Sequence, residues 1–181
     1  MTTVSFVKLE EPTSEIAEAI HRWENDPDLV PFIRPSKNRE DLAQLRPVTV
    51  ETLAERVKKL HFYLIYLDGQ LIGEMSFKVD PDYLFKNVAG TAWIGITIGE
   101  ADTRGRGIGY KAIRFLEQQI STEGLKRIEL GVFEFNKPAR ALYRKLGYQE
   151  IGRIDAFTYW DGRMWQDIRM EKYLRQHKVE S

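Results

Sequence analysis

Thr103-Arg104-Gly105-Arg106-Gly107-Ile108-Gly109 packs three glycines into five residues between a strand pattern and a helix pattern. Glycine lets the backbone turn tightly and exposes successive amide N–H groups without a Cβ in the way. At a helix N-terminus those groups have no intrahelical partner, and the local dipole favours an anion. Arg104 and Arg106 add positive charge, so the ligand implied is a phosphate or pyrophosphate. The bland alternative is a flexible loop feeding a helix. No Gly-Lys-Ser/Thr ending follows, which excludes a Walker A loop.

On either side of this turn the pattern is that of a mixed α/β chain. Before it, Ala92–Ile98 reads as a strand. After it, Ile108, Ala112, Leu116 and Ile120 lie four apart and predict a helix. Ile128–Phe133 is the next strand. Asn136 and Pro138 then sit where a helix cap and an early proline belong, and Gly147 is a natural stop. Asp68-Gly69 and Asp161-Gly162 predict tight hairpins, one on each side of this block. Upstream, Val4–Leu9 is a strand. Thr13 and Ser14 start a helix striped by Ile16, Ala17, Ile20 and Trp23. A second helix begins near Thr49, where Thr52 at the third position breaks the usual capping box. Residues 25–39, with three prolines, read as a loop. The expectation is one α/β domain over residues 1–174 with a mixed, mostly antiparallel sheet and flanking helices, and a frayed tail over 175–181. GxGxxG never occurs and uninterrupted βα repeats are missing, so a Rossmann fold does not fit.

Composition narrows the function. The 181 residues carry 27 Lys/Arg against 27 Asp/Glu, which removes the simplest case for a nucleic-acid or anionic-membrane binder. The halves differ: residues 1–90 hold 15 acidic and 11 basic side chains, and the rest hold 12 and 16. Cysteine is absent, which excludes disulfides, thiol nucleophiles and thiolate metal sites. The three histidines lack metal-ligand spacing, so no metal is expected. Neither a leader pattern nor a long apolar run is present, which predicts a soluble, cytoplasmic protein.

Arg104-x-x-Gly107-x-Gly109 resembles the Gln/Arg-x-x-Gly-x-Gly/Ala acetyl-coenzyme A motif of the GNAT N-acetyltransferases. Asn136-Lys-Pro-Ala139-Arg-Ala-Leu142-Tyr143-Arg-Lys-Leu-Gly147-Tyr148 is similar to that superfamily's Asn-x-x-Ala-x-x-Leu-Tyr-x-x-x-Gly-Phe/Tyr signature. The order of strands over about residues 4–172 also agrees, and the flanking elements resemble the ribosomal-protein and small-amine branch.

This resemblance implies a GNAT-like fold with splayed central strands. It also implies an acetyl-CoA-dependent transfer to a primary amine of a peptide, protein or small molecule by a monomer or homodimer. Arg104, Gly105, Arg106, Gly107, Ile108, Gly109 and Tyr110 would hold the pyrophosphate. Ile96, Thr97 and Ile98 would pair with the pantetheine arm. Asn136 would touch that arm or cap its helix. Tyr143 would be the general acid for the departing thiolate, since a phenol near its ordinary pKa of ~10 keeps its proton at neutral pH.

The base is open. Some family members carry a Glu five residues before the Asn, where this chain has Gly131. Glu129 shares a strand face with that position, and Glu134, Glu74 and Glu100 are further choices. Acceptor walls are expected from Trp23–Arg46, Pro81–Gly90 and Tyr159–Gly162, whose aromatic and acidic residues suit a cationic amine. Trp93 and Trp165 read as packing residues. A non-catalytic acyl-CoA sensor is the competing function.

Overall fold

Asp68 and Gly69 both have positive φ, 50° and 80°, as do Asp161 and Gly162 at 48° and 82°. This mirror-image turn matches the right-handed twist of paired strands, and it builds the two expected hairpins. The computed structural model describes residues 1–175. The strands are β1 (Val4–Lys8), β2 (His61–Leu67), β3 (Gln70–Val79), β4 (Thr91–Ile98), β5 (Arg127–Phe133), β6 (Gln149–Trp160) and β7 (Arg163–Tyr173). They form one sheet in the order β1-β2-β3-β4-β5-β7-β6. Only β4 and β5 are parallel neighbours, so the sheet is mixed and mostly antiparallel, as the sequence predicts.

The helices are α1 (Ser14–Glu24), α2 (Val30–Ile33), α3 (Arg39–Ala43), α4 (Val50–Lys59), α5 (Ile108–Thr122) and α6 (Lys137–Lys145). Alternation along the strands divides the sheet into two faces. On one face Met75, Phe77, Ile94, Ile128, Leu130 and Ile168 pack on the apolar stripe of α5, with Tyr143 and Leu146 of α6. On the other, Phe62 and Leu64 of β2 pack on Ala17, Ile20 and Trp23 of α1 and Leu53 of α4.

Two local expectations are corrected. Residues 25–39 are not all loop, because Pro31 stands in the first turn of α2, where its missing N–H costs nothing. The start of α4 is a true reciprocal cap. Thr49 Oγ1 accepts from Thr52 N, and Thr52 Oγ1 accepts from Thr49 N at 2.9 Å, so a threonine hydroxyl replaces the usual Glu or Gln. Beyond Arg175 the predicted tail lies outside the described residues.

Trp23 is a third correction, since it is 1% exposed and belongs to the core and not to an acceptor wall. Its ring covers Gly99, directly after β4, and its Nε1 donates to Glu100 at 3.0 Å. A Cβ at Gly99 would collide with that ring. Gly99→Ala should therefore cost about 1–3 kcal/mol through overpacking. A fall in the urea midpoint with unchanged slope is the expected reading.

Candidate active site

The glycine turn carries a row of free backbone donors. Gly105 and Gly107 have φ of 74° and 76°, left-handed values that side chains resist. Gly107 caps α5 without any side-chain hydrogen bond. The N–H groups of residues 105–110 have no acceptor among the described residues. With the α5 dipole behind them, they make a cradle with the chemistry to receive an anion. Arg104 differs from expectation, because its side chain folds back: Nε donates to the Ile98 carbonyl at 3.1 Å and Nη2 to that of Gly99 at 3.3 Å. Its guanidinium braces the loop while its charge stays beside the cradle.

β4 and β5 are laddered only at Thr91–Trp93 and Arg127–Glu129. Beyond that point Ile94–Ile98 stays paired with β3 but no longer with β5. The gap joins two hollows. One, about 410 Å³, is lined by the glycine turn, Ile96–Ile98, Tyr110, Asn136 and Lys145. The other, about 640 Å³, shares Ile96–Ile98, Gly109, Asn136 and Leu142 with the first and adds Tyr143. Of the residues predicted for the anion and arm, Ile96, Thr97, Ile98, Arg104, Gly105, Gly107, Ile108, Gly109, Tyr110 and Asn136 line this trough. Arg106 does not. Lys145 completes the rim and lies 5.2 Å from the Tyr110 ring centre.

Asn136 Oδ1 accepts from Ala139 N at 3.4 Å, so it caps α6 and lines both hollows. Tyr143 is 7% exposed, and its hydroxyl has no hydrogen-bond partner among the described residues. Burial pushes its pKa up to about 12. Its phenol therefore keeps its proton at neutral pH in the wall of the larger hollow.

Glu129 is corrected. It is fully buried, and both oxygens are engaged. Oε2 accepts from Phe85 N at 2.7 Å, while Oε1 accepts from Lys86 N at 3.1 Å and from Arg127 Nη2 at 2.8 Å. It does not line the cavity. A carboxylate satisfied by two amides and a guanidinium holds a loop and is poorly placed to take a proton. Gly131, the other position on this face, also has a structural reason. A Cβ there would come within 2.5 Å of Asp167 Oδ2, so the Asp167 carboxylate of β7 fills the space.

Glu74 on β3 lines the larger hollow, cross-strand from Thr97. Burial of its carboxyl, reinforced by the nearby Glu24 charge and only partly offset by Arg56 and Thr97, pushes its pKa up to about 7. The remaining wall comes from Phe32, Tyr83, Trp93, Phe133, Phe157, Asp167 and Arg169. Trp93 is thus a wall residue and not mere packing. The acidic loop residues Glu24, Asp26, Asp28, Asp80, Asp82, Asp155 and Asp161 do not line it. Glu24 pairs with Arg56 at 2.6 Å, and Asp80 ties Gly90 and Thr91. Asp167 and Arg169 gave no sequence signal, since two charges two apart on a final strand read as an ordinary solvated face.

The acetyltransferase (GNAT) family model matches residues 17–148. The chain belongs to the GNAT family. It is 31% identical over 105 residues to a spermine/spermidine N(1)-acetyltransferase of Bacillus subtilis, covering 56% of this chain and 69% of that protein. A GNAT acetyltransferase from Streptococcus pneumoniae shares the fold with a TM-score of 0.74 at 18% identity, over 95% of this chain and 100% of that one. Spermidine N-acetyltransferase from Vibrio cholerae, solved with CoA and spermine, superposes with a TM-score of 0.72 at 17% identity, over 94% and 95%.

Among the described residues no cluster of His, Asp and Glu could hold a metal ion, and no helix is long and apolar enough to cross a membrane. The correction at Glu129 is testable. Glu129→Gln would leave Arg127 and Arg169 short of a buried counter-charge, at a cost of about 3–5 kcal/mol. A lower melting temperature, with an unaltered pH–rate profile for the folded fraction, is the expected outcome.

Proposed function

We propose that this GNAT chain transfers the acetyl group of acetyl-CoA to a primary amine. The observation that carries this reading is the continuous trough from the amide cradle, through the parted strands, to a hollow holding both Tyr143 and Glu74. Residues 105–110 fit a pyrophosphate, and the unladdered edge at Ile96–Ile98 with Asn136 fits an amide-bearing arm. The donor supplies an activated thioester, and the chain's part is to position it and to manage protons.

Glu74, when ionised, takes a proton from the ammonium and leaves a neutral amine able to attack. The C–N bond forms as the C–S bond breaks. Backbone N–H groups of β4 facing the gap can donate to the carbonyl oxygen as charge develops there. Tyr143 gives its proton to the leaving sulfur, and the remaining surplus proton on nitrogen restores the phenol through the cavity solvent. The aromatic walls exclude bulk water from the thioester. The Bacillus subtilis and Vibrio cholerae relatives named for spermine and spermidine support an amine acceptor.

Tyr143→Phe should lower kcat by about 10²-fold, the usual worth of a positioned acid. CoA affinity, measured by calorimetry, should change less than twofold. An unchanged kcat would remove the acid from this account. The pH dependence follows from Glu74. Its raised pKa means that the base is protonated and idle below about 7, so kcat/KM should fall as pH drops through that value. Glu74→Gln should lower the rate and erase that inflection. Persistence of the inflection in the variant would place the base elsewhere.

A further inference from the structure

Arg169 is the only cation among the residues lining the larger hollow. It is 4% exposed. Nε donates to Asp167 Oδ2 at 2.8 Å and Nη1 to the Tyr83 carbonyl at 3.0 Å. The guanidinium carbon lies 4.7 Å from the Trp93 ring centre and 5.8 Å from that of Phe157. Two aromatic rings, the Asp167 carboxylate and the Tyr83 carbonyl hold it in place, and Nη1 also lies 3.6 Å from Glu129 Oε2. Nη2 has no hydrogen-bond acceptor among the described residues. Arg34 Nε and Ser36 Oγ are the side-chain polar atoms that are both sealed from solvent and unpartnered among the described residues, so Arg169 Nη2 instead opens onto the cavity, where its free N–H groups can meet a ligand oxygen.

The rest of the wall points to the same chemistry. Its acidic members are Glu74 and Asp167, and Asp167 is already paired with Arg169. A polyamine would bring a second ammonium toward a fixed guanidinium with no free carboxylate to receive it, and like charges repel strongly in such surroundings. A zwitterion fits better, with its ammonium near Glu74 and its negative end on Nη2.

Resting on the acetyl-transfer reading above, we infer that the acceptor is a free amino acid whose carboxylate is received by Arg169 Nη2. Its apolar body lies against Trp93 and Phe133. Arg169 is then a specificity residue that aligns the amine for attack, and the planar fork suits a carboxylate better than a point charge would.

The test is thiol release from acetyl-CoA by the full chain. The twenty L-amino acids are each compared with the decarboxylated amine and the amide, alongside spermidine and spermine. At least one amino acid should exceed its amine, its amide and both polyamines in kcat/KM by tenfold or more. Arg169→Lys should raise KM for that amino acid tenfold or more, with kcat within threefold, and leave KM for the matching amine unmoved. The wild-type comparison stands even if the variant folds poorly. Equal or better turnover of amines, amides or polyamines overturns the inference while leaving acetyl transfer intact. Equal shifts for amino acid and amine in Arg169→Lys would reduce Arg169 to a structural part. Absence of turnover with every acceptor, despite measurable CoA binding, would instead overturn the acetyl-transfer reading itself.

Discussion

β4 and β5 are clamped together at one end and held apart at the other, and the trough exists because of that contrast. At the clamped end Arg127 Nη1 donates to Thr91 Oγ1 at 3.0 Å, and Arg127 also binds Glu129 and Glu171. Glu129 in turn holds the loop leading into β4 through the amides of Phe85 and Lys86. Past Trp93 and Glu129 the ladder stops, although β4 stays zipped to β3 and β5 to β7. Unpaired backbone groups inside a protein require an acceptor or donor from elsewhere. Each strand is held along its far side by a continuous ladder, so the gap between them stays open.

The balanced net charge has a spatial meaning that differs from a simple division into acidic and basic ends. Much of it is spent in pairs under the surface: Arg127 and Arg169 with Glu129, Asp167 and Glu171, and Lys172 with Glu117 beneath the Tyr148 hydroxyl. Such pairs add little net stability against apolar replacements, but losing one partner is expensive. Their effect is geometric. They fix β5 and β7 beside the larger hollow and leave that cavity with few charges of its own. The acidic loop residues, which in the sequence suited a cationic amine, do not line the larger hollow, and Glu24 and Asp80 among them serve an ion pair and a turn.

What the sequence revealed follows from locality. Arg104–Gly109 and Asn136–Tyr148 are contiguous, and each holds its turn, cap and stripe within about a dozen residues. The cradle, the α6 cap and Tyr143 could therefore be found without knowing what lay opposite. The hairpins at Asp68-Gly69 and Asp161-Gly162 were legible for the same reason. The acceptor end is built differently. Glu74, Trp93, Gly131, Asp167 and Arg169 come from four strands and meet only through the register of β3 with β4 and of β5 with β7. Period-two reasoning correctly put Glu129 on the face of Gly131. It could not show that Phe85, Lys86 and Arg127 would consume the carboxylate, because those partners arrive from a loop 43 and 44 residues away and from its own strand.

Glu74 and Glu129 show how the surroundings assign work to chemically identical groups. Glu129 receives two amide donors and a guanidinium, which engage both oxygens and fix it as the brace of a loop. Glu74 is half-buried with a desolvated carboxyl, has no salt bridge among the described residues, and feels the charge of Glu24, itself held at the end of α1 by Arg56. Loss of solvation with little compensation moves a carboxyl toward neutral pH, where a base both releases and accepts protons readily. The pair Glu24–Arg56 lies on α1 and α4, over the sheet face that Glu74 shares with Leu64, and neither residue lines the cavity, so the pair reaches that hollow through Glu74. Removing Arg56 would take away an attraction and raise the Glu74 pKa further, whereas removing Glu24 would lower it. The two ends of one half-buried ion pair thus bias the same carboxyl in opposite directions, a relation visible only once α1, α4 and β3 are packed together.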